Sequence, residues 1–151
     1  MPAIPEISKA WFWQVIRQVI PGFVADEHNT PVLRLLYLYA SRSEEFEQEG
    51  YSLDKGILLY GNVGSGKTDL LRSLQRALWL MRSPIAFAYV NMKQVGEEFG
   101  VSGYEALHRY GRRHWLFDEL GQLEKETVGN YSNKINVAEN IILTRYEQFR
   151  N

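Results

Sequence analysis

The chain has 151 residues, 45% hydrophobic and 23% charged, with a net charge of −1; this is one soluble globular domain's worth, able to bury a core, and it excludes a wholesale nucleic-acid footprint while leaving room for a local basic patch. There is no cysteine, hence no disulfide framework and no thiolate metal site, and His28, His108 and His114 are too scattered to form a metal cluster. No apolar run approaches the ~20 residues that span a bilayer, the N-terminus lacks a basic n-region and a cleavage site, and the expectation is a cytoplasmic protein with no membrane partner.

Residues 7–20 carry Trp11, Phe12, Val15, Ile16, Val19 and Ile20, the stripe of an amphipathic helix. Pro21-Gly22 ends it. Trp11, Phe12 and Trp13 are adjacent and cannot all face one core, so one of them is free to dock a partner. Thr30-Pro31 reads as an N-cap with proline at the first helical position. The helix it opens runs to about Glu47, with Val32, Leu35, Leu36, Leu38, Tyr39 and Phe46 apolar, and Gly50 closes it. Residues 1–50 therefore form an N-terminal helical lead-in to a second region, 51–151.

Residues 51–55 link the lead-in to a short apolar run, Gly56-Ile57-Leu58-Leu59-Tyr60, which reads as a buried parallel strand. Residues 61–68 follow as Gly-Asn-Val-Gly-Ser-Gly-Lys-Thr, a full G-x-x-x-x-G-K-[ST] phosphate-binding loop. In such a loop the backbone N–H groups of Gly61, Asn62, Val63, Gly64, Ser65 and Gly66 turn inward to cradle phosphates. Lys67 reaches the β- and γ-phosphate oxygens as a point charge, and the Thr68 hydroxyl can ligate Mg²⁺. Asp69 opens a helix that runs to Met81, with Leu70, Leu71, Leu74, Ala77, Leu78 and Met81 on one stripe. Strand, glycine loop and helix together aim a helix N-terminus at an anion. Tyr51, just upstream of the strand, is placed either to stack on a nucleotide base or simply to pack at the helix–strand junction.

Ser83-Pro84 breaks the chain, and residues 85–91 read as a second buried strand. Short helices are expected over 92–99 and 104–110, with glycines between them. Arg109, Arg112 and Arg113 have His108, Tyr110 and His114 interleaved. That pattern can track single-stranded nucleic acid, or it can be a solvated helix end whose cations suit the dipole. Residues 114–117 form a third strand ending in Asp118-Glu119. A carboxylate at a strand's C-terminal end suits a Mg²⁺-nucleotide site: Asp118 would hold the metal and Glu119 would act as general base on an attacking water. The bland alternative is a solvated strand end. Residues 122–133 read as a polar loop and 136–149 as a last helix. Alternating strands and helices argue for an α/β fold with a parallel sheet.

Residues 55–68, then Leu116-Phe117-Asp118-Glu119-Leu120-Gly121, then Asn140-Ile141-Ile142-Leu143-Thr144-Arg145-Tyr146 resemble an AAA+ ATPase of the bacterial helicase-loader and transposition-helper (DnaC/IstB-like) type. The resemblance covers about residues 50–149. It implies a P-loop NTPase three-layer fold, ATP with Mg²⁺, and Lys67, Thr68, Asp118 and Glu119 as nucleotide and hydrolysis residues. The implied partners are ATP or ADP, single-stranded DNA, a replicative helicase or transposase, and further copies of the chain. The AAA+ core orders its strands 5-1-4-3-2, and only strands 1, 2 and 3 are found here. Strand 4 with its sensor, the arginine finger and the helical lid are not. The expectation is that strands 1 and 3 close up or a strand is borrowed from a partner. An arginine finger is worth ~10³–10⁵ in rate, so nucleotide binding with weak or no turnover is expected. Arg145 is expected in an ion pair on the last helix. A silent nucleotide-binding interaction module and a small P-loop kinase are the competing readings.

Overall fold

A computed structural model describes residues 7–120 and 136–150. The elements run α1 (Lys9–Val19), α2 (Thr30–Ala40), α3 (Glu44–Gln48), α4 (Lys67–Leu80), β1 (Ala88–Asn91), α5 (Met92–Ser102), α6 (Tyr104–Gly111), β2 (Trp115–Asp118) and α7 (Val137–Arg150). Among the described residues the chain is α/β, with one small parallel sheet. It divides into two compact units, Met1–Ala86 and Phe87–Asn151. Residues 61–66 and α4 thus share a unit with the lead-in helices, whereas the sequence suggested a boundary at 50/51. Among the described residues no helix is long and apolar enough to cross a membrane. The expected polar loop at 122–133 lies outside the described residues.

The first unit is helical. Ser8 caps α1, its hydroxyl accepting from the Trp11 N–H at 3.2 Å. Helix α4 packs on both α1 and α2, and Phe12, Val15, Ile16, Leu33, Leu36, Leu74, Ala77 and Leu78 are buried. Of the adjacent aromatics near the N-terminus, Phe12 is the fully buried one, and it meets the Tyr37 ring at 5.8 Å. The long helix expected over 30–47 is two. Leu38 O accepts from Ser43 N–H and Tyr39 O from Arg42 N–H, a Schellman stop with Arg42 left-handed at φ 53°. Ser43 then caps α3, whose first turn carries three glutamates suited to the helix dipole. Phe46 from α3 packs with Leu38 and Leu53 in a small satellite core.

Residues 56–60 do not form the buried strand expected of them. They carry no strand pairing, and Leu58 and Tyr60 are 75% and 87% exposed while Ile57 and Leu59 are half-buried. The reason is that a strand needs a neighbour to pair with, and the described residues of this unit form only helices and loops. Of the two expectations, that the first strand closes up on the third or that a strand is borrowed from a partner, the first is not met in the sheet, which holds two strands among the described residues.

In the second unit β1 and β2 pair in parallel, Ala88 opposite Trp115 and Asn91 opposite Asp118. These are the second and third strands expected from the sequence, each shorter than read. Helices α5, α6 and α7 enclose a core of Val90, Met92, Val95, Phe99, Ala106, Leu107, Tyr110, Val137 and Ile141. Tyr110 lies at its centre, 1% exposed, edge-on to Trp115 at 5.0 Å and to Phe117 at 6.1 Å. Its hydroxyl donates to Glu98 Oε2 at 2.8 Å.

Burial pushes the Tyr110 phenol up to about 12, with the Glu98 carboxylate adding in the same direction. A raised folded-state value means that the neutral phenol's contribution is complete below the unfolded value of about 10 and is lost as pH climbs through 12. The urea midpoint of the parent should therefore fall between about pH 9.5 and 11.5, and that fall should be smaller in Tyr110→Phe. Parallel pH profiles for the two proteins would count against this assignment.

Candidate functional site

The candidate residues fall in two groups, one in each compact unit. In the first unit, residues 61–66 form a tight loop that feeds directly into α4. Gly64 and Gly66 have φ of 79° and 77°, and Gly61 has φ of 151°. Side chains are strained at such angles, although a Cβ at Gly64 or Gly66 would meet nothing within 4 Å. The backbone angle, not crowding, is what demands glycine there. Gly66 stands at the N-cap of α4, and the first helical bond runs from Leu70 N–H to Gly66 O at 3.0 Å. The N–H groups of Lys67 and Asp69 precede that bond, in the first turn where a helix offers its donors.

Lys67 folds back over the loop. Its ammonium donates to Gly61 O at 3.0 Å, Asn62 O at 2.6 Å and Ser65 Oγ at 3.3 Å. Ser65 Oγ in turn donates to Asn62 O at 2.8 Å. The cation thus ties the loop's first two carbonyls to its last turn and centres a positive charge on the ring they make. Thr68 and Asp69 follow in the first turn of α4. Val63 at the loop's tip is 98% exposed. Tyr51 stacks on Phe46, ring centroids 5.0 Å apart, and is half-exposed; one ring face is thus in use for packing.

The second group sits at the C-terminal ends of β1 and β2, the end where parallel sheets place their ligands. Asp118 Oδ1 accepts from the Glu119 N–H at 3.0 Å, and Oδ2 accepts from the Tyr89 hydroxyl at 3.1 Å. Glu119 Oε2 accepts from Asn91 Nδ2 at 2.6 Å. Asn91 also caps α5, its Oδ1 accepting from the Lys93 N–H at 2.8 Å. Sequence reasoning singled out the two acids but missed Tyr89 and Asn91. Their signal is a polar side chain at alternate positions of an apolar strand, on the same side as its last residue.

Glu119 carries a left-handed backbone at φ 61°. Arg42 and Arg82 share that conformation, and each stands just past a helix end where it closes a Schellman stop. Glu119 follows a strand instead. A non-glycine residue held so costs about 1–3 kcal/mol and is found where the surroundings hold it for a purpose.

Hard oxygen donors, the Thr68 hydroxyl and the Asp118 carboxylate, suit Mg²⁺ in chemical type. No group of three or more His, Cys, Asp or Glu that could hold a metal occurs among the described residues. Mg²⁺ carried by a nucleotide needs no such cage, since phosphates and water complete its shell.

Arg145 is not in an ion pair among the described residues. It donates through Nη1 to Tyr110 O and Arg113 O, each at 2.7 Å, and lies 5.8 Å from the Phe117 ring centroid. The carbonyls at the end of α6 are open acceptors, and a half-buried guanidinium satisfies two of them at once. Burial lowers its pKa. Within the basic segment Arg109 pairs with Glu98 at 3.1 Å, while His108, Arg112, Arg113 and His114 are exposed.

The two roles of Asn91 separate by substitution. Asn91→Ala should lower stability by about 0.5–2 kcal/mol through the lost cap, whereas Asn91→Asp keeps an acceptor for Lys93 and loses the donor to Glu119. Urea unfolding of both variants checks this, and equal stability of parent and Asn91→Ala would refute the capping role.

Comparison with protein-family models, with curated proteins and with solved structures gave no match.

Proposed function

We propose that the chain binds ATP with Mg²⁺ and is an AAA+-type ATPase of the helicase-loader or transposition-helper kind, built on a P-loop NTPase fold and weakly active or inactive by itself. The observation that carries this reading is the loop at residues 61–66. It combines three glycines at positive φ, a lysine drawn across the loop, and a direct run into a 14-residue helix. A glycine-rich surface turn has no need of a lysine bonded to its own first two carbonyls. In the reading, the backbone donors of the loop and of the first turn of α4 take the phosphates. Lys67 exchanges its bonds with Gly61 O and Asn62 O for phosphate oxygens at little cost, because both are oxygen acceptors.

Thr68 in the first unit and Asp118 in the second are the hard oxygen donors suited to Mg²⁺, which when bound neutralises charge on phosphate oxygens. Glu119 takes a proton from the attacking water as general base. At 2.6 Å from Asn91 Nδ2, its Oε2 is held in place, and the proton goes to the other carboxylate oxygen, Oε1. Tyr51 offers its outer face to the adenine while Phe46 backs the inner one. The exposed basic end of α6 supports single-stranded DNA as a partner, with Arg112 and Arg113 for phosphates and His114 beside them.

A silent nucleotide-binding interaction module is the second reading. The exposed apolar side chains Leu58 and Tyr60 before the loop and Val63 at its tip favour it.

Calorimetry with ATP and ADP in Mg²⁺ tests the proposal. Lys67→Ala should weaken binding at least ~10-fold, in line with the loss of a charge-assisted bond. Glu119→Gln should leave ATP affinity intact and lower any turnover by ~10²–10⁴. No ATP or ADP binding by the folded parent would overturn the nucleotide reading. Binding without turnover, with or without single-stranded DNA, would favour the silent module.

A further inference from the structure

Residues 56–60, Gly-Ile-Leu-Leu-Tyr, carry no charge. Among the described residues none of their backbone groups bonds to another backbone group, whereas Lys55 before them and Ser65 after them do. Exposure alternates along them: Ile57 and Leu59 are half-buried, while Leu58 and Tyr60 are exposed. That period of two is the mark of an extended chain with one face laid on its own unit and the other turned outward. The free donors and acceptors of such a chain are a template for a further strand. The template is self-complementary. Turned antiparallel about Leu58, it sets Leu58 against Leu58 of a second copy, Gly56 against Tyr60 and Ile57 against Leu59. Lys55 falls opposite Gly61 and Asp54 opposite Asn62, so no like charges meet. Glycine opposite an aromatic is a favourable cross-strand pair, because the ring covers the backbone that glycine leaves bare.

From this pattern of exposure, charge and unpaired backbone we infer that residues 56–60 pair with the same residues of a second copy of the chain. The product is a two-stranded antiparallel ribbon with its two-fold axis at Leu58. The inference goes beyond the nucleotide reading and does not rest on it. A foreign strand would need its own glycine facing Tyr60 and its own uncharged run; a second copy supplies both by symmetry. A two-fold contact uses one patch on both copies and is complete at two, so it gives a dimer and not a filament. On the outer face the two Tyr60 rings flank the two Leu58 side chains, which takes exposed apolar surface out of water. Ile57 and Leu59 brace the ribbon on the unit of each copy, where an unsupported two-stranded ribbon is marginal. The glycine-rich loops at 61–66 leave the ribbon at opposite ends, so pairing closes neither of them.

The test uses the full chain without nucleotide. Sedimentation equilibrium of the parent should show a concentration-dependent dimer. Leu58→Lys should raise its dissociation constant at least ~10-fold by setting two like charges on the axis. The chain has no cysteine, so Leu58→Cys introduces a single thiol. The two-fold places it about 4.5–5.5 Å, Cα to Cα, from its copy, within disulfide range. Under oxidised glutathione Leu58→Cys should form a disulfide-linked dimer faster than Trp79→Cys, an exposed position on α4 away from the ribbon. Residue 58 is 75% exposed, so neither of its variants disturbs the core. A parent that stays monomeric at every concentration overturns the inference. A dimer that Leu58→Lys leaves intact also overturns it, since that marks another surface. Equal cross-linking rates at 58 and 79 overturn it as well, since random collision then accounts for both. A dimer lost in Leu58→Lys, with cross-linking favoured at 58, is the result expected.

Discussion

The parallel register of β1 and β2 is the constraint on which the acid site depends. With Asn91 opposite Asp118, both strands end at the same level, and the polar groups at that end can answer one another. A slip of one residue would turn every side chain to the other face. Tyr89 and Asn91 would then point away from Asp118 and Glu119, and Val90 would leave the core. The register is held by that core: Val90, Met92 and Val95 on one side of the chain reversal, and Leu107, Tyr110 and Ile141 from α6 and α7. Apolar burial of Val90 on one face of the pair thus sets the polar geometry of Tyr89 and Asn91 on the other.

The glycine-rich loop at 61–66 depends on a different device. No strand pairing anchors the residues that lead into it, so the loop is organised from the helix that leaves it and from within. Burial of Leu70, Leu74, Ala77 and Leu78 fixes α4 in the helical unit. Lys67, the first residue of that helix, then gathers Gly61, Asn62 and Ser65 around its ammonium. Charge-assisted bonds of this kind are roughly twice as strong as neutral ones. The Lys67 cation therefore shapes the loop that precedes its helix.

Stops and caps divide the rest of the chain. Two Schellman turns with arginine in the left-handed position end α2 and α4. Side-chain caps from Ser8, Ser43 and Asn91 open α1, α3 and α5. Neither arginine stop is visible to a reading that looks for glycine at helix ends. The helix expected across 30–47 consequently spans what the structure breaks at Ser41 to Ser43. Arg145 shows a similar gap: an ion pair on the last helix was expected, yet the carbonyls of Tyr110 and Arg113 at and just past the end of α6 are its partners.

Local chemistry was legible in the residues themselves. Glycine spacing marked the tight loop at 61–66, proline marked the start of α2, and period-3.6 stripes marked the helices, because each of these depends on backbone angles and neighbours a few residues away. The parallel pair of strands and the acids at its end were legible for the same reason. Only the tertiary structure decided that residues 56–60 go without a strand partner, that Tyr89 and Asn91 join the acids, and that Arg145 caps another helix. Each of those outcomes depends on groups 28 to 35 residues apart in sequence, or on whether a pairing neighbour is at hand. Pairing across such distances is set by which surfaces the core brings together, and no local pattern records it.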